Sequence, residues 1–258
     1  MKMPEPSFSV NVDVKNPGQF FACCGLLELA HRLWPGAEGW FEDGKFCLAR
    51  TDGQSVDFKT LLDAIIMCDV QPVPNSDPKI APIRLSHPIG IHLDWWLKPD
   101  GKPNLFKTWA ANATSQQMFS KWRDPLRNKL SAYTTAPEKT LTISAKKQGS
   151  YGFDSDLGWD ALNVGFSLNK HAGLKELPTR PAVEIFGAIG LQRFFPVFKE
   201  KEQAVEYATW RIPLAAPVAR VAVIGNLPVV TMHKLRTRFV YRGSFKGLDH
   251  SISIGGDI

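Results

Sequence analysis

Residues 16–34 read NPGQFFACCGLLELAHRLW and predict the central helix of this protein. Asn16 is a residue type that caps helix N-termini, and Pro17 suits the first helical position, where its missing N–H costs no hydrogen bond. The Pro-Gly pair that follows Trp34 predicts the end of the helix. Its polar positions form only a narrow stripe, made of Gly25, Glu28 and Arg32. Because a surface helix has a broader polar face, we expect this helix to be buried.

A second stretch, PAVEIFGAIGLQRFFP at residues 181–196, has a similar plan. Both stretches begin at a proline, carry aromatic and small residues, reach Gly-Leu and end near a proline. Gly25 costs its helix about 1 kcal/mol relative to alanine, so we expect another backbone to approach it closely. We predict that a helix over 181–195 packs on the first one, with Gly187 and Gly190 at the contact. An internal pseudo-repeat is a weaker hypothesis, because generic buried helices look alike.

Length and composition predict one α+β domain with antiparallel sheets packed around these two helices. The chain has 258 residues, of which 44% are apolar and 22% charged, as in globular proteins. No apolar run approaches the roughly 18–20 residues of a membrane span, and residues 1–6 lack the pattern of a signal peptide. We therefore expect a cytoplasmic protein with no membrane contact.

Hydrophobic periodicity predicts the remaining elements. The expected strands are 7–15, a hairpin over 40–48 with Asp43-Gly44 at its turn, a strand-rich stretch over 83–97, and strands 140–145, 209–214, 218–224 and 234–242. The expected helices are 58–70 and 106–121, the second interrupted at Trp122-Arg123-Asp124-Pro125.

Basic residues are concentrated in two segments. Residues 101–150 hold nine Lys/Arg against two acids, and residues 207–248 hold seven against none. If the two segments meet in space, they form a basic surface suited to a polyanionic partner. The alternative is a scatter of solvated lysines and arginines, and charge alone does not decide between them.

Two patterns within these segments are typical of nucleic-acid binding. Residues 146–154 combine two lysines, glycines and Tyr151 in one loop, which could hold a phosphate backbone and stack on a base. Residues 234–242 alternate so that cations about 7 Å apart share one strand face, although edge strands also carry such charges to prevent aggregation. The expected contacts are Lys146, Lys147, Gln148, Tyr151, Arg123, Arg127, Lys129, Lys234, Arg236, Arg238, Arg242 and Lys246.

No pattern predicts a catalytic or metal site. The four cysteines lack Cys-x-x-Cys spacing, and Cys23 and Cys24 on the first helix are best read as buried apolar residues. The histidines form no HExxH motif, and Asp154, Asp156 and Asp160 lack the spacing of a calcium loop. We therefore expect no catalysis, no metal and no cofactor.

Four motifs together resemble one family. They are residues 16–30 (NPGQFFACCGLLELA), 105–110 (LFKTWA), 152–154 (GFD) with 159–167 (WDALNVGFS), and 187–196 (GAIGLQRFFP). With these motifs the chain resembles the small Csb-type subunits of CRISPR operons of subtype I-U or I-G, which are distantly related to the Csx-type large subunit of the same operons.

The resemblance implies a non-catalytic, large-subunit-like part of a type I RNA-guided DNA-interference (Cascade) complex. The implied partners are crRNA, target DNA, the backbone and crRNA-end subunits and the helicase-nuclease, and the implied role includes recognition of the short flanking motif on the target. Two alternatives stay open. One is a guide-RNA-processing ribonuclease that uses His171 or His233, and the other is a basic structural adaptor without direct nucleic-acid contact.

Overall fold

The computed structural model describes residues 3–73, 81–94, 113–145, 151–156, 179–227, 230–242 and 245–255. They form a mixed α+β single-domain fold, as predicted. The described helices are α1 (Pro17–Leu33), α2 (Phe58–Met67), α3 (Ser115–Asn128), α4 (Leu130–Thr135), α5 (Pro181–Gly190) and α6 (Ala216–Val223). The described strands are β1 (Phe8–Asn11), β2 (Ala37–Glu42), β3 (Lys45–Arg50), β4 (Val70–Pro72), β5 (Ile83–Leu85), β6 (Ile91–Leu93), β7 (Val197–Lys199), β8 (Ala204–Trp210), β9 (Leu214–Ala215), β10 (Thr231–Arg242), β11 (Phe245–Leu248) and β12 (Ile252–Ser253).

The described strands form three antiparallel sheets. The first has the order β1-β3-β2-β9, and its β2–β3 hairpin turns at Asp43 and Gly44, as expected. The second has the order β11-β10-β8-β7, and β12 also pairs with β10. The third is the small sheet β4-β5-β6. We refer to the second as the five-stranded sheet, because its outer face carries the candidate site.

Helix α1 is the buried centre of the fold. The side chain of Asn16 caps it by accepting a hydrogen bond from the backbone N–H of Gln19 at 3.3 Å. Every residue from Pro17 to Ala30 is buried. This confirms the prediction from the sequence, including the burial of Cys23 and Cys24, whose pKa values burial raises well above that of an ordinary thiol.

Glycines allow α5 to lie against α1. A Cβ at Gly25 would overlap the carbonyl oxygen of Phe186, and a Cβ at Gly190 would overlap that of Phe21. The close approach predicted for Gly25 is therefore confirmed. A Cβ at Gly187 would lie 3.5 Å from the carbonyl oxygen of Gly18 in α1 and 3.3 Å from the Phe153 side chain, so Gly187 also lies at the contact. Helix α5 ends at Gly190 instead of near residue 195. A hairpin follows each of these helices, but the pseudo-repeat stays a prediction.

Helix α1 also joins the two larger sheets. The ring of Phe20 stacks on Phe41 of the first sheet, with centroids 5.4 Å apart, and lies 4.3 Å from Tyr207 of the five-stranded sheet. The indole N–H of Trp210 donates to the carbonyl of Gly39 at 2.7 Å. Strand β8 is thus fixed on the core by Tyr207 and Trp210. On the face that carries Glu206, Ala204 and Ala208 are also buried, and Glu206 is partly exposed.

A buried carboxylate ties the ends of α1 and α5 together. Glu28 is fully buried and forms ion pairs with Arg32 at 2.6 Å and with Arg193. Arg32 also donates to the carbonyls of Ile89 and Gly90, each at 2.9 Å. The polar stripe seen in the sequence is therefore satisfied internally and is not a solvated face.

Four predictions of secondary structure are wrong. Residues 209–214 are not one strand, because β8 ends at Trp210 and β9 begins at Leu214. Residues 218–224 lie in helix α6 and its C-cap, because Ala216, Ala219 and Ala222 recur at helical spacing and are buried. Helix α3 continues through Pro125 to Asn128, and residues 140–145 form turns with a single bridge from Ala145 to Thr179. The predicted start of α3 at residue 106 lies outside the described residues. Among the described helices, none is long and apolar enough to cross a membrane.

Candidate nucleic-acid interface

Strand β10 displays a row of cations on the outer face of the five-stranded sheet. Leu235 and Thr237 are each 1% exposed and point inward, whereas Lys234 and Arg238 are exposed and Arg236 is partly exposed. The alternation predicted for this segment is therefore confirmed. We call Lys234, Arg236 and Arg238 the cation row.

The two ends of the cation row are available to a ligand. Neither Lys234 nor Arg238 has an acidic side chain within ion-pair distance in the described part of the chain. The stem of Lys234 lies over Gly225, where its Cε would be 3.0 Å from an added Cβ. An aliphatic stem that packs on a surface leaves its ammonium group in water.

Arg236, in the middle of the row, is held by two carboxylates. Its guanidinium pairs with Glu202 at 2.5 Å and with Glu206, to which its Nε donates at 2.8 Å. Glu206 lies directly opposite Arg236 on β8 and also pairs with Lys199 at 3.3 Å. Hydrogen bonding to Glu206 and the charges of both glutamates raise the pKa of Arg236 above its ordinary value.

Neither glutamate is among the site residues predicted from the sequence. Glu202 follows β7 in a 3-10 turn, Glu200–Glu202, and Glu206 is four residues further on. Their acidity is visible in the sequence, but their position beside Arg236 depends on the β8–β10 register, which the sequence does not reveal.

The basic residues of α3 and of the segment that follows it make structural contacts. Arg123 donates to the carbonyl of Cys68 at 2.8 Å, and Arg127 donates to that of Ile66 at 3.1 Å. Both carbonyls lie at the C-terminal end of α2, where cationic donors stabilise a helix. Lys129 donates to the carbonyl of Ser144 at 2.5 Å.

These α3 residues do not extend the cation row. Helix α3 packs on α2, α4, α5 and β4, whereas β10 packs on β8, β11 and β12. The described parts of the two basic segments therefore lie on different parts of the fold. Of the two alternatives left open by the composition, a single basic surface is not seen among the described residues.

The prediction for Tyr151 is wrong. Its side chain is 2% exposed, and its ring packs against Phe153 at 5.7 Å and Trp122 at 6.4 Å. Its backbone N–H donates to Glu184 at 2.7 Å, and burial with the charge of Glu184 raises the pKa of its hydroxyl. A ring in the core cannot stack on a base, so Tyr151 is not one of the nucleic-acid contacts.

The remaining expected contacts are not described. Lys146, Lys147 and Gln148 lie outside the described residues, and the side chains of Arg242 and Lys246 do as well. Their roles stay predictions. Asp160 and His171 also lie outside this part of the chain.

Asp154 belongs to a buried ion pair. Its carboxylate is fully buried, accepts from Arg180 Nε at 2.7 Å and accepts from the Asn16 side chain at 2.8 Å. Arg180 also pairs with Asp156 at 2.7 Å. This network fixes residues 151–156 to the N-terminal ends of α1 and α5.

Within the described ranges, no group of acidic, histidine or cysteine side chains could hold a metal ion.

A serine, a histidine and an aspartate meet at the surface near this network. The hydroxyl of Ser155 is 3.2 Å from His250 Nδ1, and His250 Nε2 is 3.5 Å from Asp13. The side chains of His250 and Asp13 are 46% and 49% exposed. A Ser-His-Asp triad needs a buried carboxylate and oxyanion donors. The backbone N–H groups of Ser155 and Asp156 donate instead to Asn16 and Asp154, so this arrangement is no assembled nucleophile.

Comparison of the chain with protein-family models, with curated proteins and with solved structures finds no match. We therefore infer the function from the residues, their geometry and the motif resemblance.

Proposed function

We propose that the chain is a non-catalytic, large-subunit-like component of a type I CRISPR interference complex, where it contacts target DNA or crRNA. The observation that carries this proposal is the cation row of β10, whose Lys234 and Arg238 are exposed and have no acidic partner in the described ranges. The motif resemblance supports the choice of complex. Two of its motifs, residues 16–30 and 187–196, contribute to α1, α5 and the turn after α5.

The geometry of the row suits a phosphate backbone. Side chains two apart on a strand repeat about every 7 Å, close to the phosphate spacing of an extended nucleic-acid strand. Lysine and arginine contacts to phosphate position a nucleic acid but carry no sequence information. Recognition of the flanking motif therefore needs another group, and Gln148 stays the predicted one.

The partners follow from the complex. We propose the backbone and crRNA-end subunits as the neighbours of this chain, the helicase-nuclease as a later partner, and the cytoplasm as the compartment. The ribonuclease alternative is less favoured, because His233 is an exposed residue of the cation-bearing strand and the backbone N–H groups of Ser155 and Asp156, beside the Ser155–His250–Asp13 contact, already donate to Asn16 and Asp154.

The test is copurification. A tagged copy is expressed with the other subunits of its operon and isolated at moderate salt, and the bound RNA and proteins are identified. We expect crRNA together with the backbone subunits. A chain that brings down neither one contradicts the proposal. Two results together would indicate a structural adaptor. The chain would bind the other subunits equally well without crRNA, and its presence would not change the DNA affinity of the complex.

Incubation with repeat RNA tests the ribonuclease alternative. We expect the purified chain to leave repeat RNA intact. Site-specific cleavage that disappears in His233→Ala or His171→Ala would overturn the non-catalytic assignment.

A further inference from the structure

We infer that Arg236 is a third phosphate contact of the cation row. In the free protein Glu202 pairs with its guanidinium, and the phosphates of a bound polyanion displace Glu202. The inference rests on the proposed function and adds a means by which the site selects its ligand. The ligand that we infer is the phosphodiester backbone of a nucleic acid and not a mononucleotide.

The two glutamates that hold Arg236 differ in how firmly they are placed. Glu206 stands directly opposite Arg236 in the sheet, and its side chain is 18% exposed. Glu202 lies on the 3-10 turn at the sheet's edge, and its side chain is 45% exposed. Exposed ion pairs are weak and screened by salt. Glu202 is therefore the carboxylate that a competing anion can replace.

The charges balance in favour of such a replacement. Lys199, Arg236, Glu202 and Glu206 form a connected group with two positive and two negative charges. When Glu202 moves away, the remaining three side chains carry one net positive charge. A phosphate that takes the place of Glu202 restores neutrality at the same guanidinium.

The neighbours of Arg236 decide which anion succeeds. Lys234 and Arg238 flank it on the same face, so a chain of phosphates bound to them brings another phosphate to Arg236 at high effective concentration. A single phosphate lacks this advantage and must compete with Glu202 alone. The glutamate thus works against binding of small anions and much less against a polymer.

The decisive variant is Glu202→Gln, assayed in the assembled complex with target DNA. Removing one charge about 5 Å from a bound phosphate is worth roughly a three- to five-fold gain in affinity in water. The log–log salt slope should become more negative by up to about 0.9, because displaced Glu202 no longer takes up a salt cation. Affinity for inorganic pyrophosphate, a two-phosphate probe, should rise by a larger factor than affinity for DNA.

Two controls isolate the contact. Glu200→Gln makes the same change of charge in the same turn, and Glu200 has no ion pair in the described ranges; it should leave DNA affinity within a factor of about 1.5. Arg236→Ala should abolish the gain when it is combined with Glu202→Gln. Both glutamates are exposed, so the melting temperature should stay unchanged.

The outcomes separate this inference from the proposed function. If Glu202→Gln binds DNA no better than Glu200→Gln, or keeps its gain without Arg236, the inference is wrong and the cation row can still bind DNA. If the complex binds DNA equally well without Lys234 and Arg238, the proposed role of the row itself fails.

Discussion

Replacement of Gly25 by alanine tests the packing of α1 on α5. In an ordinary helix this change gains about 1 kcal/mol of stability. Here the new methyl group would overlap the Phe186 carbonyl oxygen, with the carbonyl carbon 2.7 Å and the Gly190 nitrogen 3.1 Å away. These are backbone atoms, so the two helices must separate. Overpacking of this kind typically costs about 1–3 kcal/mol, and backbone overlap belongs at or above its upper end.

We therefore expect Gly25→Ala to lower the free energy of unfolding by about 2 kcal/mol or more, measured by urea titration. Gly187→Ala is the matched control on the partner helix, because its methyl group would lie 3.3 Å from the Phe153 side chain and 3.5 Å from the Gly18 carbonyl oxygen, without overlap of backbone atoms. That variant should lie within about 1 kcal/mol of the native protein. A Gly25→Ala protein that is as stable as the native one would refute the close packing.

Three further predictions concern buried polar groups. Glu28→Gln should destabilise the fold by about 3 kcal/mol in urea titration, because it leaves two arginines without their carboxylate; a loss below about 1 kcal/mol would contradict this. Tyr207→Phe should cost about 1–2 kcal/mol in the same assay, because the hydroxyl bonds to Val14 at 2.9 Å and Ser251 at 2.6 Å. Burial, followed by the charge of Glu42, raises the pKa of Cys47 from 9.0 to about 11. The unfolded chain then loses the thiol proton first, so stability should fall as the pH rises between about 9 and 11. Cys47→Ala should show a smaller decline over that range.

Local periodicity accounts for the parts of the fold that the sequence predicts well. Helix α1 has its cap, its apolar surface and its stop within residues 16–36, and the β2–β3 hairpin has its turn residues in place. The alternation of β10 likewise lies within one strand. Each signal is complete in a short stretch, so no distant contact is needed to interpret it.

The wrong predictions concern residues whose structure is determined by distant contacts. Residues 218–224 are rich in valine and alternate weakly, yet Ala216, Ala219 and Ala222 face the core as a helix. Pro125 remains inside α3 because the helix is held by its packing on α2 and α5. Tertiary packing overrides local preference in both cases.

In the candidate site, too, some features follow from local sequence and others depend on distant contacts. That Lys234, Arg236 and Arg238 share a face follows from strand geometry alone. That Arg236 is bound by glutamates, or that Arg123 holds the end of α2, depends on which elements become neighbours. Charge counts left open whether the two basic segments form one surface, because counts contain no information on the direction in which the side chains point.

The salt dependence of DNA binding by the assembled complex tests whether Lys234 and Arg238 contact phosphates. Each phosphate contact on duplex DNA contributes about −0.9 to the log–log slope, so Lys234→Ala with Arg238→Ala should make the slope less steep by about 1.8. Lys45→Ala with Lys59→Ala removes the same charge from exposed positions on β3 and α2. We predict weaker binding to all sequences and the flatter slope for the first pair only. Equal affinities and equal slopes for the two double variants would contradict it.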